Sequence, residues 1–121
     1  MNLSGEAASE VMNFYKEDLA KLIVVFDDID LPIGTIRIKE RGSAGTHNGV
    51  KSLVHELRST EFKRVKVGIG AAKFKSDLIG HVLGKFSDEE VLEIEKSLDK
   101  AMNAIIAIVR DGVAKAMNEY N

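Results

Sequence analysis

Three stretches of the chain have the hydrophobic patterns of β-strands. Residues 22–26 form a continuous apolar run, which is typical of a central strand covered on both faces. Residues 35–40 and 64–69 alternate between apolar and polar positions, which predicts strands with one face toward a core. In the last stretch, the alternation places Arg64 and Lys66 on the outward face. We therefore expect a mixed sheet of about three strands.

Apolar residues at helical spacing predict the helices. One helix is expected before the first strand, a second over residues 50–57, and a long one after Ser87. Ser87 and Glu90 match a capping box, and Gly112 predicts the end of the long helix, before a short last helix. The apolar stripe expected on the long helix consists of Val91, Leu92, Leu98, Met102, Ile105, Ile106 and Val109. Residues 76–86 have an ambiguous pattern that fits a short helix.

The composition fits one α/β domain that spans residues 1–121, with helices packed on both faces of the sheet. With 45% hydrophobic residues, the chain is long enough to bury a single core. It contains no cysteine, which excludes a disulfide framework and a thiolate nucleophile and suits the cytoplasm. The start of the chain lacks the basic residues of a signal peptide, and its apolar runs are too short to cross a membrane.

The net charge of −2 conceals a basic middle section. Residues 35–75 contain ten Lys or Arg and three acidic residues, whereas the rest contains seven basic and sixteen acidic residues. This excess suits a surface that faces nucleic acid, and it suits a solvated charged face equally well. Few aromatic residues lie nearby, so we expect contacts with a phosphate backbone rather than base stacking. The basic residues expected on outer strand faces are Arg37, Lys39, Arg41, Arg64 and Lys66.

Three aspartates follow the first strand, at the end of a sheet where α/β proteins bind their ligands. Asp27 is the best candidate for a buried carboxylate that orients a histidine. A metal site is a competing interpretation, but the three acids have no further ligands nearby in the sequence. We favour this function for Asp27, and turn formation for Asp28 and Asp30.

A glycine-rich segment, residues 42–49, delivers His47 and Asn48 to the start of a helix. Glycines allow backbone amides to approach a phosphate or a carbonyl group closely. Asn48 can either cap the helix or donate a hydrogen bond to a substrate, and capping is the slightly favoured alternative.

Several separated motifs, in the same order, resemble those of bacterial peptidyl-tRNA hydrolases. The resemblance covers the whole chain. The motifs are MNLSG at residues 1–5, FDDIDLPIG at 26–34, SAGTHNGVKSL at 43–53, RVKVGIG at 64–70 and VLGKF at 82–86.

The resemblance implies an esterase that cleaves the bond between a peptide and tRNA, with no metal and no organic cofactor. It implies that Asp27 orients the catalytic histidine and that Asn2 and Asn48 position water and substrate. His47 corresponds to an assisting histidine. The resemblance also implies that Lys39 and Lys66 hold a terminal phosphate of the tRNA, with Arg37, Arg41 and Arg64 adding positive potential.

The chain departs from the family at its start and in its glycine loop. The family carries the general-base histidine in a segment ahead of the MNLSG motif, and Thr46 stands where a glycine is usual. We expect the 121 residues alone to be weakly active or inactive, so a non-catalytic module that binds the tRNA acceptor stem is the alternative function. Without the first strand and helix of the family, apolar surface and a strand edge beside residues 22–26 would be open, so the resemblance also predicts self-association.

Overall fold

The computed structural model describes residues 3–15, 18–45, 47–70 and 86–121. Its elements in chain order are helix α1 (Ser4–Tyr15), a short 3-10 turn (Leu19–Lys21), strands β1 (Ile23–Asp28) and β2 (Ile36–Lys39), helix α2 (Asn48–Leu57), strand β3 (Lys63–Gly68), and helices α3 (Asp88–Asp111) and α4 (Val113–Tyr120). The predicted α/β class with three strands is confirmed. Of the ambiguous region, residues 76–85 lie outside the described residues.

The sheet has the strand order β1-β3-β2. The Lys63 amide donates to the Leu22 carbonyl, and the Ile69 amide donates to the Asp28 carbonyl. The two bonds have the same sequence offset, so β1 and β3 are parallel. The Gly68 amide, at the end of β3, donates to the Thr35 carbonyl at the start of β2, which makes this pair antiparallel.

The chain divides into two compact units, Met1–Val24 with Lys39–Arg64 and Val25–Ile38 with Val65–Asn121. In the first unit, α1 packs along α2. The Gly5 amide donates to the Ser52 hydroxyl at 2.9 Å. A Cβ atom on Gly5 would lie 2.1 Å from the Ser52 carbonyl oxygen, so the approach of the two helices requires glycine at this position.

The second unit contains a small apolar cluster beyond the end of β3. Ile69, Phe86 and Ile94 are buried together, and Ile29 and Ile33 pack against them. The cluster therefore joins the segment after β1 to the first part of α3.

Helix α3 begins with the predicted capping box. The Ser87 hydroxyl accepts from the Glu90 amide at 3.2 Å, and the Glu90 carboxylate accepts from the Ser87 amide at 3.0 Å. At the other end, Gly112 has a positive φ of 93°, and its amide donates to the Ile108 carbonyl. Both predicted ends of the helix are confirmed.

The face that α3 buries is not the predicted stripe. Val91, Leu92, Leu98, Met102, Ile106 and Val109 are all exposed. The buried positions of the helix are Ile94, Ser97, Ala101, Ala104, Ala107 and Ile108. Small side chains allow the helix backbone to approach its neighbours, and they do not stand out in a pattern that is read from large apolar residues. The prediction of a buried stripe was therefore wrong.

Strand β1 is not covered on both faces in the described structure. Val25 is 44% exposed, although it lies in the middle of the apolar run. Helices α1 to α4 and the other described residues include no helix that is long and apolar enough to cross a membrane.

Candidate functional site

Asp27 lies near the end of β1, in the second compact unit. Successive strand residues point to opposite faces, so Asp27 is on the same side of β1 as Val25. Both residues are exposed in the described structure, and the prediction of a buried carboxylate at Asp27 was wrong for this reason. The carboxylate lies on an open surface at the carboxyl end of a strand, where α/β sheets present ligand-binding groups.

Asp28, on the other side of β1, forms two interactions. One carboxylate oxygen accepts from the Asp30 amide at 2.7 Å, which confirms the turn formation predicted for Asp28. The other lies 3.4 Å from the Lys66 ammonium, and both side chains are largely buried, with 15% and 21% exposed. The same ammonium is 5.9 Å from the centre of the Phe26 ring. A phosphate that binds Lys66 must therefore compete with the Asp28 carboxylate.

The turn after Asp30 packs tightly against the end of β3. The Thr35 hydroxyl donates to the Pro32 carbonyl at 2.7 Å, and the Gly70 amide donates to the Leu31 carbonyl at 2.9 Å. A Cβ atom on Gly68 would lie 2.1 Å from the Pro32 carbonyl oxygen. Glycine is thus required at position 68 for the turn after Asp30 to lie beside β3.

His47, rather than Asn48, caps helix α2. The His47 ring accepts through Nδ1 from the Val50 amide at 3.3 Å, while Asn48 is the first residue of the helix. The prediction that Asn48 caps the helix was therefore wrong. Because Nδ1 is an acceptor, the ring proton of neutral His47 is on Nε2. The half-buried imidazole and the exposed Asn48 side chain are adjacent at the start of the helix.

The alternation of residues 64–69 predicted that Arg64 faces outward, but its side chain is buried. Its side chain is 1% exposed, and its guanidinium lies 4.4 Å from the centre of the Phe62 ring. It donates to the carbonyl oxygens of Ser43 at 2.6 Å, Thr60 at 3.1 Å and Phe62 at 3.4 Å. Burial lowers the pKa of Arg64 from its ordinary value. The guanidinium is thus enclosed by backbone carbonyls, and the predicted outward orientation was wrong.

Strand β2 displays basic side chains as predicted. Ile36 and Ile38 are buried, whereas Arg37 and Lys39 are exposed on the opposite face. Beyond the strand, Arg41 forms surface ion pairs with the carboxylates of Glu40 at 3.5 Å and Glu61 at 3.2 Å. Surface pairs of this kind contribute little stability, so Arg41 can exchange its partners at small cost.

Asn121 holds the middle of β2 through its side-chain amide. Its oxygen accepts from the Ile38 amide at 2.7 Å, and its nitrogen donates to the Ile38 carbonyl at 3.0 Å. Ile38 lies between the exposed Arg37 and Lys39, so the contact steadies the strand that carries these cations. Asn121 was missed in the sequence, where no local pattern connects residues 83 positions apart.

The predicted site residues are divided between the two units. Lys39, Arg41, His47, Asn48 and Arg64 belong to the first unit, and Asp27, Arg37 and Lys66 belong to the second. Asn2 and Thr46 lie outside the described residues. Among the residues that the structure describes, no three His, Asp or Glu side chains form a group that could hold a metal ion.

Comparisons with known proteins place the chain in one family. The family profile described as Peptidyl-tRNA hydrolase matches residues 1–121. Curated proteins of that name are 45% identical in Alkaliphilus oremlandii and 50% identical in Clostridium perfringens, in both cases over 121 residues and all of this chain. The chain spans 65% and 63% of the lengths of these relatives.

A solved structure gives the same result for the fold. The crystal structure of peptidyl-tRNA hydrolase from Acinetobacter baumannii matches with a TM-score of 0.88 and 32% sequence identity. The match covers 100% of this chain and 61% of that chain. Because the family profile matches all 121 residues of this chain and the fold is shared, the chain belongs to the peptidyl-tRNA hydrolase family.

Proposed function

We propose that this chain takes part in hydrolysing the ester bond between a peptide and tRNA. The observation that carries the proposal is the family match over residues 1–121, with 45% to 50% identity to the relatives named above. In this reaction, water adds to the ester carbonyl carbon, the bond to the ribose oxygen breaks, and the ribose oxygen takes up a proton. Both peptide and tRNA are then released, which would serve the rescue of translation in the cytoplasm.

In this proposal, Asp27 orients the histidine that removes a proton from water. A carboxylate in that role accepts a hydrogen bond from one ring nitrogen and stabilises the imidazolium that forms. Asp27 is exposed at the end of β1, which is compatible with contact to a histidine at the surface of the sheet.

His47 and Asn48 are proposed to contact the substrate. Because His47 uses Nδ1 to cap α2, its Nε2–H points away from the cap and serves as a hydrogen-bond donor rather than as a base. The exposed Asn48 amide can donate to the ester carbonyl, where negative charge develops. Asn2 is proposed for water positioning from the resemblance alone.

The general base is proposed to lie in the segment that precedes the MNLSG motif in relatives. The 121 residues span just under two thirds of the length of the relatives named above. General-base catalysis contributes about 100- to 10,000-fold. We therefore propose that these residues alone turn over peptidyl-tRNA slowly, and that tRNA binding without hydrolysis is their second candidate function.

The tRNA phosphates are proposed to bind Lys39 first, with Lys66, Arg37 and Arg41 contributing. Lys39 is exposed on β2, whereas Lys66 is ion-paired with Asp28. Arg64 is left out of this set, because its guanidinium is buried among carbonyl oxygens.

Self-association through the edge of β1 is also proposed. The strand order leaves β1 with one partner strand within the described residues, and Val25 is exposed on it. A strand at the edge of a sheet that also exposes an apolar side chain favours pairing with another chain.

We expect two substitutions of His47 to separate its capping role from its chemistry. His47→Ala should lower the free energy of unfolding by about 1 kcal/mol, whereas His47→Asn should preserve it, because asparagine is a good N-cap. Both should lower the turnover measured when the segment that precedes the MNLSG motif in relatives is fused to the chain, because both remove the Nε2 donor. Urea unfolding and turnover assays measure the two effects. Equal destabilisation by both variants would contradict the cap, and full turnover by His47→Asn would show that the imidazole is not needed.

The proposed role of Asp27 can be tested in a fusion of this chain to the preceding segment of the Alkaliphilus oremlandii relative. Turnover of a peptidyl-tRNA substrate by the fusion should exceed that of the 121 residues by about 100-fold or more. Asp27→Asn should abolish most of this gain. Asp30→Asn is the matched control, because it makes the same charge change in the adjacent turn. It should have little effect, since Asp30 bonds to the Asp28 carboxylate through its backbone amide. Tight tRNA binding by a fusion that shows no turnover would favour the non-catalytic function.

Affinity for tRNA should depend on salt through the named cations. Lys39→Ala should reduce the slope of log affinity against log salt concentration by about one, and adding Lys66→Ala should reduce it by about one more. Lys96→Ala is a matched control, because Lys96 is exposed on α3 and pairs with Glu93. Binding measured across a salt series would reject the assignment if the double variant had the same slope as the unchanged chain.

The 121 residues should form a dimer or a larger assembly at high concentration. Sedimentation equilibrium should show a mass that rises with concentration. Val25→Lys places a charge on the edge strand and should shift the equilibrium toward monomer. A monomer at every concentration tested would refute the proposal.

A further inference from the structure

Arg64 is a buried cation, and the hydrogen bonds described above for its guanidinium all go to backbone carbonyl oxygens. It donates to the Ser43 carbonyl before α2, and to the Thr60 and Phe62 carbonyls in the connection between α2 and β3. Removing a charge from water is costly unless it is well hydrogen-bonded, so an arginine that is 1% exposed needs these carbonyls. The bonds link two segments that are separated in sequence by helix α2.

The Ser43 contact acts on the glycine-rich loop. Gly42 and Gly45 have positive φ angles of 150° and 61°, a backbone conformation that residues other than glycine rarely adopt. A Cβ atom on Gly42 would lie 3.8 Å from an Arg64 guanidinium nitrogen, which shows how closely the loop approaches the guanidinium. Arg64 therefore holds the loop at its start.

The end of the same loop is held by the cap of α2. His47 lies only four positions after Ser43, and its ring and carbonyl both accept bonds from the first turn of the helix. Two contacts thus hold the backbone on either side of residues 44–46, the Arg64–Ser43 bond and the cap.

We propose that Arg64 is a positioning residue, which fixes the glycine loop so that His47 and Asn48 meet the substrate in a productive orientation. The inference rests on the proposed function above. A lysine cannot take over this role, because its ammonium lacks the planar fork that reaches carbonyls in three directions.

Arg64→Lys keeps the positive charge and tests whether the planar guanidinium is needed. In the fusion to the preceding segment, we expect kcat to fall about 10- to 100-fold, because a displacement of about 1 Å at a site can have an effect of this size. The salt slope of tRNA binding should stay unchanged, since Arg64 contacts no phosphate in this role. Arg110→Lys is the control, because Arg110 is exposed in the last turn of α3 and pairs with Asp111. A lower salt slope with unchanged kcat would overturn the proposal and make Arg64 a phosphate contact.

Two measurements keep the test independent of folding and of turnover. Arg64→Ala should lose kcat in the same way, and guanidinium, at concentrations below those that unfold the chain, should restore part of it. In NMR spectra, the ring resonances of His47 should shift in both Arg64 variants and not in Arg110→Lys. Unchanged His47 resonances would refute the positioning role even if no variant cleaves peptidyl-tRNA. Shifted resonances together with no turnover by the fusion to the preceding segment would support the loop contact and reject the proposed hydrolysis.

Discussion

The parallel register between β1 and β3 determines which groups can meet at the carboxyl end of the sheet. Hydrogen bonds at both ends of the pair have the same sequence offset, so the strands stay aligned along their length. That alignment brings the Asp28 carboxylate to the Lys66 ammonium and leaves Asp27 on the opposite side of β1. Adjacent aspartates consequently have different environments, one largely buried and ion-paired and the other exposed.

Arg64 and Lys66, two of the cations on strand β3, differ in chemistry because of their surroundings. Arg64 is enclosed by carbonyl oxygens in the first unit, whereas Lys66 pairs with a carboxylate in the second. The fork of a guanidinium suits several fixed carbonyls, and the compact ammonium suits exchange between two anions. Replacing either residue by the other would preserve the net charge and lose the geometry.

The sequence predicted the elements of this fold better than the environment of individual residues. Apolar periods and the capping box located strands and helices, because these signals are local. The burial of Ala104 in α3 and of Arg64 in β3 depends on neighbours that are distant in sequence, and strand alternation gave the wrong orientation for Arg64. Asn48 and His47 are both plausible caps, and only the backbone of the loop decides between them. The site residues themselves came from motifs, whose spacing does not specify burial or pairing.

The amide of Asn121 has a consequence for the outer side of the sheet. Ile38 directs its amide and carbonyl away from β3, and both of these groups are bonded to one side chain. An asparagine offers a donor and an acceptor side by side, as the backbone of an additional strand would. A further strand that paired with the middle of β2 would have to displace the Asn121 side chain from both groups.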